Sequence, residues 1–357
     1  MWLSCFDNVA LSVTGVTLAR KAQSAFPIRC WTVILAPDAG SIAHDQSQMA
    51  KAKRIKGINC DSVATIGIKL VLVTRFEELY GFHEAALDWS DPEGVHSMRV
   101  ASRRLRSALR DFMPYLRKRG LIAVQKRLKN VADALGEVRD HDVAIMALEK
   151  IDAHAPTEVS HALKQFIDAR KEVRNEARKE LEAILEKAQL DQLQSDFMAG
   201  VDIATAPRKT PTAHIFRQMS REVILGRLRE LEKLSNRLFN PFEVETLHDM
   251  RIAAKRLRYA IELLQSCWGH SLATYAKRAA RVQTALGDLH DCDVWIENIG
   301  KQINNARKNK DTAQIAAFVW LLNHFVKLRS KHLRQAFAEW SKWEAQDLSG
   351  KLRARIS

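Results

Sequence analysis

Two short motifs occur twice along this chain of 357 residues, in the same order and at nearly the same spacing. The segment HSMRVASRRLR at 96–106 returns as HDMRIAAKRLR at 248–258, an offset of 152 residues (248 − 96). The segment LGEVRDHDV at 135–143 returns as LGDLHDCDV at 286–294, an offset of 151 residues (286 − 135). Because chance rarely gives two ordered blocks, the sequence predicts a tandem duplication whose copies fold alike.

The composition indicates that each copy is helical. Only 14 Gly and 8 Pro occur in the whole chain, too few for a fold dense in turns. Long stretches are rich in Ala, Leu, Glu, Lys and Arg, which favour helices. No alternating apolar run bounded by turn residues suggests a strand. We therefore predict an all-α fold of two bundles, each with four to five helices, related by an approximate two-fold axis.

Apolar periodicity and turn signals predict where the helices begin and end. The start signal Ser90-Asp91-Pro92 places proline in the first turn of a helix. Gly136 and Gly287 are predicted to end helices, and an aspartate four residues later to cap the next one. The predicted helices of the two copies lie at about 61–87, 90–116, 120–135, 140–152 and 157–195, then 212–238, 241–268, 271–286, from 291, and 311–343.

The chain divides into an opening segment and one large domain. Residues 1–48 show no sustained helical period, and their three basic and three acidic residues balance. We predict that they are an appendage, or that translation starts at Met49. The domain covers 49–350, and Pro207 and Pro211 mark the linker between its copies. The predicted bounds are about 61–203 for the first copy, 204–211 for the linker and 212–350 for the second copy.

The net charge of +14 lies entirely after residue 48 and favours an anionic partner. Nucleic acid, anionic lipid and polyphosphate all satisfy this requirement. No run of 18 apolar residues predicts a membrane span. The sparse cysteines have no zinc-site spacing and are typical of a cytoplasmic, reducing environment. They are Cys5, Cys30, Cys60, Cys267 and Cys292.

The first repeated block places basic residues on one face of a helix and apolar residues on the opposite face. We name the two basic sets by copy. The first basic stripe is His96, Arg99, Arg103 and Arg106, and the second basic stripe is His248, Arg251, Lys255 and Arg258. Arg104 and Arg256 flank the two stripes.

A basic stripe is often a solvated helix face, but such faces usually mix both signs of charge. These two stripes contain no acid, and like charges stacked on one face destabilise a helix unless an anion offsets them. The sequence therefore predicts an anion-binding site. His96 and His248 are predicted to contact the anion and not a metal, because the neighbouring arginines would repel a cation.

The second repeated block contains four aspartates with two possible roles. Asp140, Asp142, Asp291 and Asp293 could cap a helix or orient the arginines, which is the reading we favour. Alternatively, they could hold a divalent ion that bridges to the bound anion.

These motifs resemble the CHAD family, the conserved-histidine α-helical domain, over about residues 55–345. The resemblance implies two related helical bundles that face each other around a basic central cavity and bind inorganic polyphosphate. It implies that both basic stripes line this cavity, with secondary contributions from Lys126, Arg127, Lys277 and Arg278. The mismatch of His141 with Cys292 lies outside these basic positions. No strand-rich region or ExExK motif indicates the triphosphate-processing CYTH domain that accompanies some members.

The sequence thus predicts a polyphosphate-binding protein, associated with polyphosphate granules, that needs neither a cofactor nor a metal ion and catalyses no reaction. Neither basic block contains an aromatic residue on which a nucleic-acid base could stack. A nucleic-acid-binding protein remains the first alternative. A metal-dependent enzyme acting on phosphoanhydride bonds is the second, and a scaffold for an acidic protein is the third.

Overall fold

The computed structural model describes residues 52–207 and 214–357. All regular secondary structure within these residues is helical, apart from one isolated bridge between Val63 and Ile215. The prediction of an all-α fold is confirmed. The predicted appendage at 1–48 and the linker residues 208–211 lie outside the described residues, so the predicted domain bounds stay predictions.

The helices of the two copies follow the same order. The first copy comprises α1 (Ala64–Tyr80), α2 (His83–Leu87), α3 (Pro92–Phe112), α4 (Ile122–Asp152), α5 (Thr157–Ile184) and α6 (Lys187–Thr205). The second comprises α7 (Phe216–Ser235), α8 (Val244–Leu264), α9 (Ala273–Lys308), α10 (Thr312–Ala345) and α11 (Leu348–Ile356).

The start signal of α3 forms as the sequence predicts. The Asp91 side chain accepts a hydrogen bond from the Glu93 backbone N–H at 2.9 Å, and Pro92 occupies the first helical position. The cap satisfies a backbone donor that has no partner within the helix. It fixes the first turn of α3 immediately before the residues of the first basic stripe.

The predicted helix breaks within the second repeated block are wrong. Gly136 lies inside the uninterrupted α4, and Gly287 lies inside the uninterrupted α9. Glycine weakens a helix interior by about 1 kcal/mol, which tertiary packing readily overcomes. Here the next four residues after each glycine bring further buried side chains against the neighbouring helices. Asp140 and Asp291 are therefore not helix caps.

A break does occur within the helix predicted at 157–195, which is two helices in the structure. The chain leaves helical geometry at Glu186, which has φ −47° and ψ 132°. This bend lets Leu190, Leu193 and Phe197 of α6 reach the core, where each is fully or almost fully buried. Burial of these apolar side chains favours the bend over a straight helix.

Two large apolar clusters and a small third one hold the described residues together. The larger cluster joins α1, α3, α6, α7 and α8 with the first halves of α4 and α9. The other large cluster joins the second halves of α4 and α9 with α5 and α10, where the Trp295 and Phe325 rings stack at 4.8 Å. Equivalent helices meet across the two copies, since α1 contacts α7, α3 contacts α8 and α5 contacts α10. The two-fold rotation and the central cavity stay predictions.

A disulfide links the residues before α1 to the turn after α8. Cys60 and Cys267 are bonded although 207 residues separate them in sequence. Arg217 of α7 braces the same corner, donating from its backbone N–H to the Cys60 carbonyl and from its side chain to the Cys267 carbonyl at 2.6 Å. The cysteine spacing did not predict this disulfide. Because disulfides are rare in reducing compartments, the cysteines give no support to a reducing environment.

Candidate functional site

The first basic stripe lies on α3, opposite the side of that helix that enters the core. Met98, Leu105 and Phe112 of α3 are completely buried. The four side chains of the stripe are each partly exposed. This separation is what an apolar face at helical spacing dictates. The core therefore fixes the helix, and the basic groups are left accessible along its other face.

Asp140 of α4 pairs with Arg99. The Arg99 Nη2 atom lies 2.9 Å from the Asp140 Oδ1 atom, and Asp140 is only 2% exposed. Gly136, one turn earlier on α4, faces the same guanidinium, because a Cβ there would lie 3.9 Å from Arg99 Nε and Nη2. In the first copy, Asp140 of the Leu-Gly block thus orients Arg99, which is one of the two roles predicted for the aspartates of this block.

The second basic stripe lies on α8 and repeats part of this arrangement. Arg251 is buried, with 3% exposure, and a Cβ at Gly287 would lie 3.8 Å from Arg251 Cδ. Asp291, the counterpart of Asp140, is completely buried. The His248 and His290 Nδ1 atoms lie 3.2 Å apart, and Arg251 Nη2 lies 3.5 Å from His248 Nδ1. Both copies therefore place histidine beside a fixed guanidinium.

The histidines of the site are held in the neutral form. Burial, together with Arg139, Arg103, Arg99 and Arg104, lowers the pKa of His96 to about 4. Burial, then Arg251 and Lys255, lowers the pKa of His248 to about 4. Burial and the same cations, with His248, lower the pKa of His290 to about 3. A bound anion would reverse the effect of the cations, so these imidazoles are poised to gain a proton with the ligand.

The flanking arginines turn towards carboxylates of neighbouring helices. Arg104 Nη1 lies 2.6 Å from Glu78 Oε1 of α1, and Arg256 Nη1 lies 3.6 Å from Glu230 Oε2 of α7. Arg258, a predicted member of the second stripe, donates to Glu262 at 2.7 Å. Among the residues that the structure describes, Arg103 and Arg106 form no ion pair. The first stripe is thus the more open of the two to an anion.

The secondary basic residues lie on α4 and α9. Arg127 pairs with Asp196 of α6 at 2.5 Å and lines a groove of about 330 Å³ beside α5 and α6. Lys277 lines a groove of about 560 Å³ between α9 and α10. Lys126 is exposed and Arg278 is half-buried. Arg127 and Lys277 thus line two grooves, and no residue of either stripe lines them.

Sequence reasoning missed basic residues that the structure places around Asp142. Arg174 and Arg178 of α5 lie 3.6 and 3.5 Å from Asp142 Oδ1. In the second copy, Arg329 of α10 lies 2.5 Å from Asp293 Oδ1. Arg139 is buried and lies 3.7 Å from Glu93. The spacing of Arg170, Arg174 and Arg178, one per helical turn, was a usable signal. The alternating charges elsewhere on α5 obscured it.

Neither a metal cluster nor a membrane span is found in the parts of the chain that the structure describes. Within residues 52–207 and 214–357, no three His, Cys, Asp or Glu side chains are grouped to hold a metal ion. Over the same residues, no helix is both long and apolar enough to cross a bilayer.

Comparison with known proteins places this architecture among related structures. The family model of the CHAD domain matches residues 72–299. The crystal structure of the CHAD domain from the plant Ricinus communis gives a TM-score of 0.60 at 22% identity, covering 80% of this chain and 94% of that chain. PptA from Streptomyces chartreusis gives a TM-score of 0.61 at 14% identity, covering 78% of this chain and 100% of that chain. No curated protein matches.

The matched residues include both copies of the basic block and both copies of the Leu-Gly block. They also include the pairing of Arg99 with Asp140 and the histidine pair of the second stripe. The match covers well over half of the chain, and the two solved structures share its all-helical architecture. The chain belongs to the CHAD family.

Proposed function

We propose that this protein binds inorganic polyphosphate through the two basic stripes, without catalysing a reaction. The observation that carries the proposal is the first stripe. Arg99 is oriented from behind by a buried carboxylate, and Arg103 and Arg106 form no ion pair within the described residues. Membership of a family associated with polyphosphate supports the same ligand.

The chemistry of the stripes suits a phosphate chain. Guanidinium groups donate two hydrogen bonds at once to phosphate oxygens, and a neutral imidazole donates one. A linear polyphosphate carries a charge on each unit and has no bases to recognise. The stripe residues themselves include no aromatic side chain that would stack on a base. Affinity is expected to come mainly from release of counterions and to fall steeply with salt.

Three of the four repeated aspartates have contacts that account for them without catalysis. The carboxylates of Asp140, Asp142 and Asp293 lie 2.9, 3.6 and 2.5 Å from arginine side chains, respectively. A guanidinium beside a carboxylate competes with a metal ion for its oxygens. We therefore assign these aspartates an orienting role. Release of orthophosphate from polyphosphate in the presence of Mg²⁺ would contradict this assignment.

The test is a binding titration with long-chain polyphosphate across a salt series, with duplex DNA as competitor. The variant Arg99→Glu/Arg251→Glu serves as the disabled protein. We expect tight binding that weakens steeply with salt, resists DNA and is lost in the variant. Equal displacement by DNA at equal charge would favour the nucleic-acid alternative. An unaffected variant would show that the stripes are not the site.

In the cell, we expect the protein on polyphosphate granules. A fluorescent fusion of the whole chain should gather where polyphosphate is stained, and the double variant should stay dispersed. Gathering of both proteins to the same extent would contradict a role for the stripes in targeting.

A further inference from the structure

A second group of cations lies on α5, beside α4. Arg170, Arg174 and Arg178 follow one another at four-residue intervals, so they share a face of the helix. All three are partly exposed. Arg174 and Arg178 share the carboxylate of Asp142, which lies 3.6 Å from Arg174 and 3.5 Å from Arg178. Two guanidinium groups therefore face one carboxylate here, although α5 as a whole mixes both signs.

The second copy shows how much of this group the fold requires. With the offset of 151 residues, Arg178 and Asp142 correspond to Arg329 and Asp293, which form the equivalent ion pair at 2.5 Å. One arginine per copy is thus part of the shared architecture. The residues at the positions of Arg170, Arg174 and His141 are Leu321, Phe325 and Cys292, all buried among apolar neighbours.

The first copy therefore adds three groups that the architecture does not need, and it keeps them in defined positions. The Arg170 guanidinium lies over the rings of Phe166 and Trp295, at 4.9 and 5.3 Å from their centroids. His141 is 94% buried, since its exposure is 6%. Its Nδ1 atom has no hydrogen-bond partner within the described part of the chain. A buried polar atom without a partner is unusual in a folded protein, and a ligand can supply the missing contact.

The charges around His141 point to an anion. Burial, and then Arg170 and Arg174, lower the pKa of His141 to about 4. Burial alone lowers the pKa of the Arg170 guanidinium to about 10. Both pKa shifts show that burial makes a positive charge unfavourable here. An anion bound between these groups would favour their charged forms and raise both pKa values, as expected of a phosphate-binding site.

Arg139 of α4 connects this group to the first basic stripe. It is the largest cationic influence lowering the pKa of His96, and it also lowers the pKa of Asp142 against the effect of burial. Arg139 is therefore close both to the stripe on α3 and to the arginines on α5. Next to it on α4, Asp140 pairs with Arg99 and Asp142 lies near Arg174 and Arg178, so the first stripe and the α5 arginines both adjoin this turn of α4.

We propose that His141, Arg170 and Arg174 form an additional phosphate-binding patch, present in the first copy alone, that takes the part of a long polyphosphate chain extending beyond the first basic stripe. This α5 patch makes the two copies unequal, so a bound chain lies asymmetrically across the protein. The inference rests on the proposed function and adds a preference for long chains. Short phosphates fit the stripes without reaching the patch.

The test replaces the patch with the residues that the second copy carries. The variant Arg170→Leu/Arg174→Phe removes two cations with side chains that this architecture accommodates. The control Lys164→Gln/Lys179→Gln removes two exposed cations of the same helix, away from the patch. Each protein is titrated with long-chain polyphosphate and with tripolyphosphate across a salt series.

The patch variant should lose about tenfold or more in affinity for the long chain and show a salt dependence that is shallower by about two counterions. Its affinity for tripolyphosphate should match that of the parent protein, and the control should bind both ligands nearly normally. Equal losses in the patch variant and the control would overturn the inference, as would an equal loss for both ligands. If the parent protein itself fails to bind polyphosphate, the proposed function fails instead.

A second variant guards against a folding defect. Arg174 is 21% exposed at its side chain, so Arg174→Gln disturbs packing less than the double substitution does. Its circular dichroism and melting temperature should match those of the parent protein. It should still bind the long chain several-fold more weakly. Normal long-chain binding by a folded Arg174→Gln protein would overturn the role of that residue.

Discussion

At the scale of single residues, the histidines beside the stripes couple binding to protonation. The pKa values of His96 and His248 are lowered to about 4, below the ordinary value of 6.5 that an unfolded chain would show. Between these values the unfolded chain binds more protons, so the stability of the free protein falls as pH falls from 6.5 towards 4. A bound polyanion raises both pKa values and removes part of this loss.

Binding of polyphosphate is therefore expected to take up protons near pH 5.5 and to tighten as pH falls from about 7.5 to 5.5. Calorimetry in two buffers of different ionisation enthalpy measures this uptake directly. The variant His96→Gln/His248→Gln should bind without most of it. Equal uptake by the variant and the parent protein would assign the protons to other groups, since internal phosphates of a long chain are already ionised.

Asp140 provides a separate test, because its charge and its position predict opposite effects. Asp140→Asn raises the net charge, which by itself would strengthen binding of a polyanion. The buried carboxylate also orients Arg99, and losing it should weaken binding by about tenfold. We expect the weakening, measured by titration with long-chain polyphosphate. Asp133→Asn is the matched control, because Asp133 pairs with Lys129 at the surface of the same helix.

At the scale of helices, Gly136 distinguishes a site for the arginine from a helix terminus. A Cβ at this position would lie at ordinary contact distance, 3.9 Å, from the Arg99 guanidinium. Because α4 is continuous there, Gly136→Ala should stabilise the protein by about 0.5–1 kcal/mol and keep polyphosphate binding. Gly136→Leu should displace Arg99 and weaken binding. Urea unfolding and titration of both variants check this, and a destabilising Gly136→Ala would support the helix break instead.

The helices themselves were largely predictable, and the errors share one cause. Periodicity and the Asp91-Pro92 signal located α3, because both depend on nearby residues. The helix breaks predicted at the two repeated glycines were wrong, since whether a helix continues through Gly136 depends on packing from distant segments. For the same reason, the partners of Arg104 and Arg256 on α1 and α7 were not visible in the sequence. Glu78 and Glu230 are themselves 152 residues apart, the offset of the basic blocks, so the repeat could have indicated them as equivalent partners.

At the scale of the whole molecule, the disulfide closes a loop that includes all six helices of the first copy and the basic helix of the second. Removing a native disulfide typically costs 2–5 kcal/mol, about the range expected for a separation of 207 residues. Cys60→Ser/Cys267→Ser should lower the free energy of unfolding by about this amount, seen as a lower midpoint of urea unfolding. Reduced parent protein should match the variant. If reductant leaves the parent protein's midpoint unchanged, the bond does not form in solution.

The last prediction concerns whether the two copies act together. The helices α3 and α8, which carry the two stripes, contact each other, and we expect one phosphate chain to reach both stripes. If it does, Arg99→Glu and Arg251→Glu act on one bound ligand, and their effects on affinity will not be additive. We expect the double variant to depart from additivity by about 0.5 kcal/mol or more for the long chain.

Tripolyphosphate gives the comparison within the same proteins. A short ligand sits on one stripe at a time, so the two substitutions should change its binding independently. Coupling that appears with the long chain and disappears with the short one would establish one shared site. Independent effects with both ligands would mean two separate grooves, and the duplication would then serve avidity along a long polymer. In that case the patch on α5 would extend only the groove of the first copy.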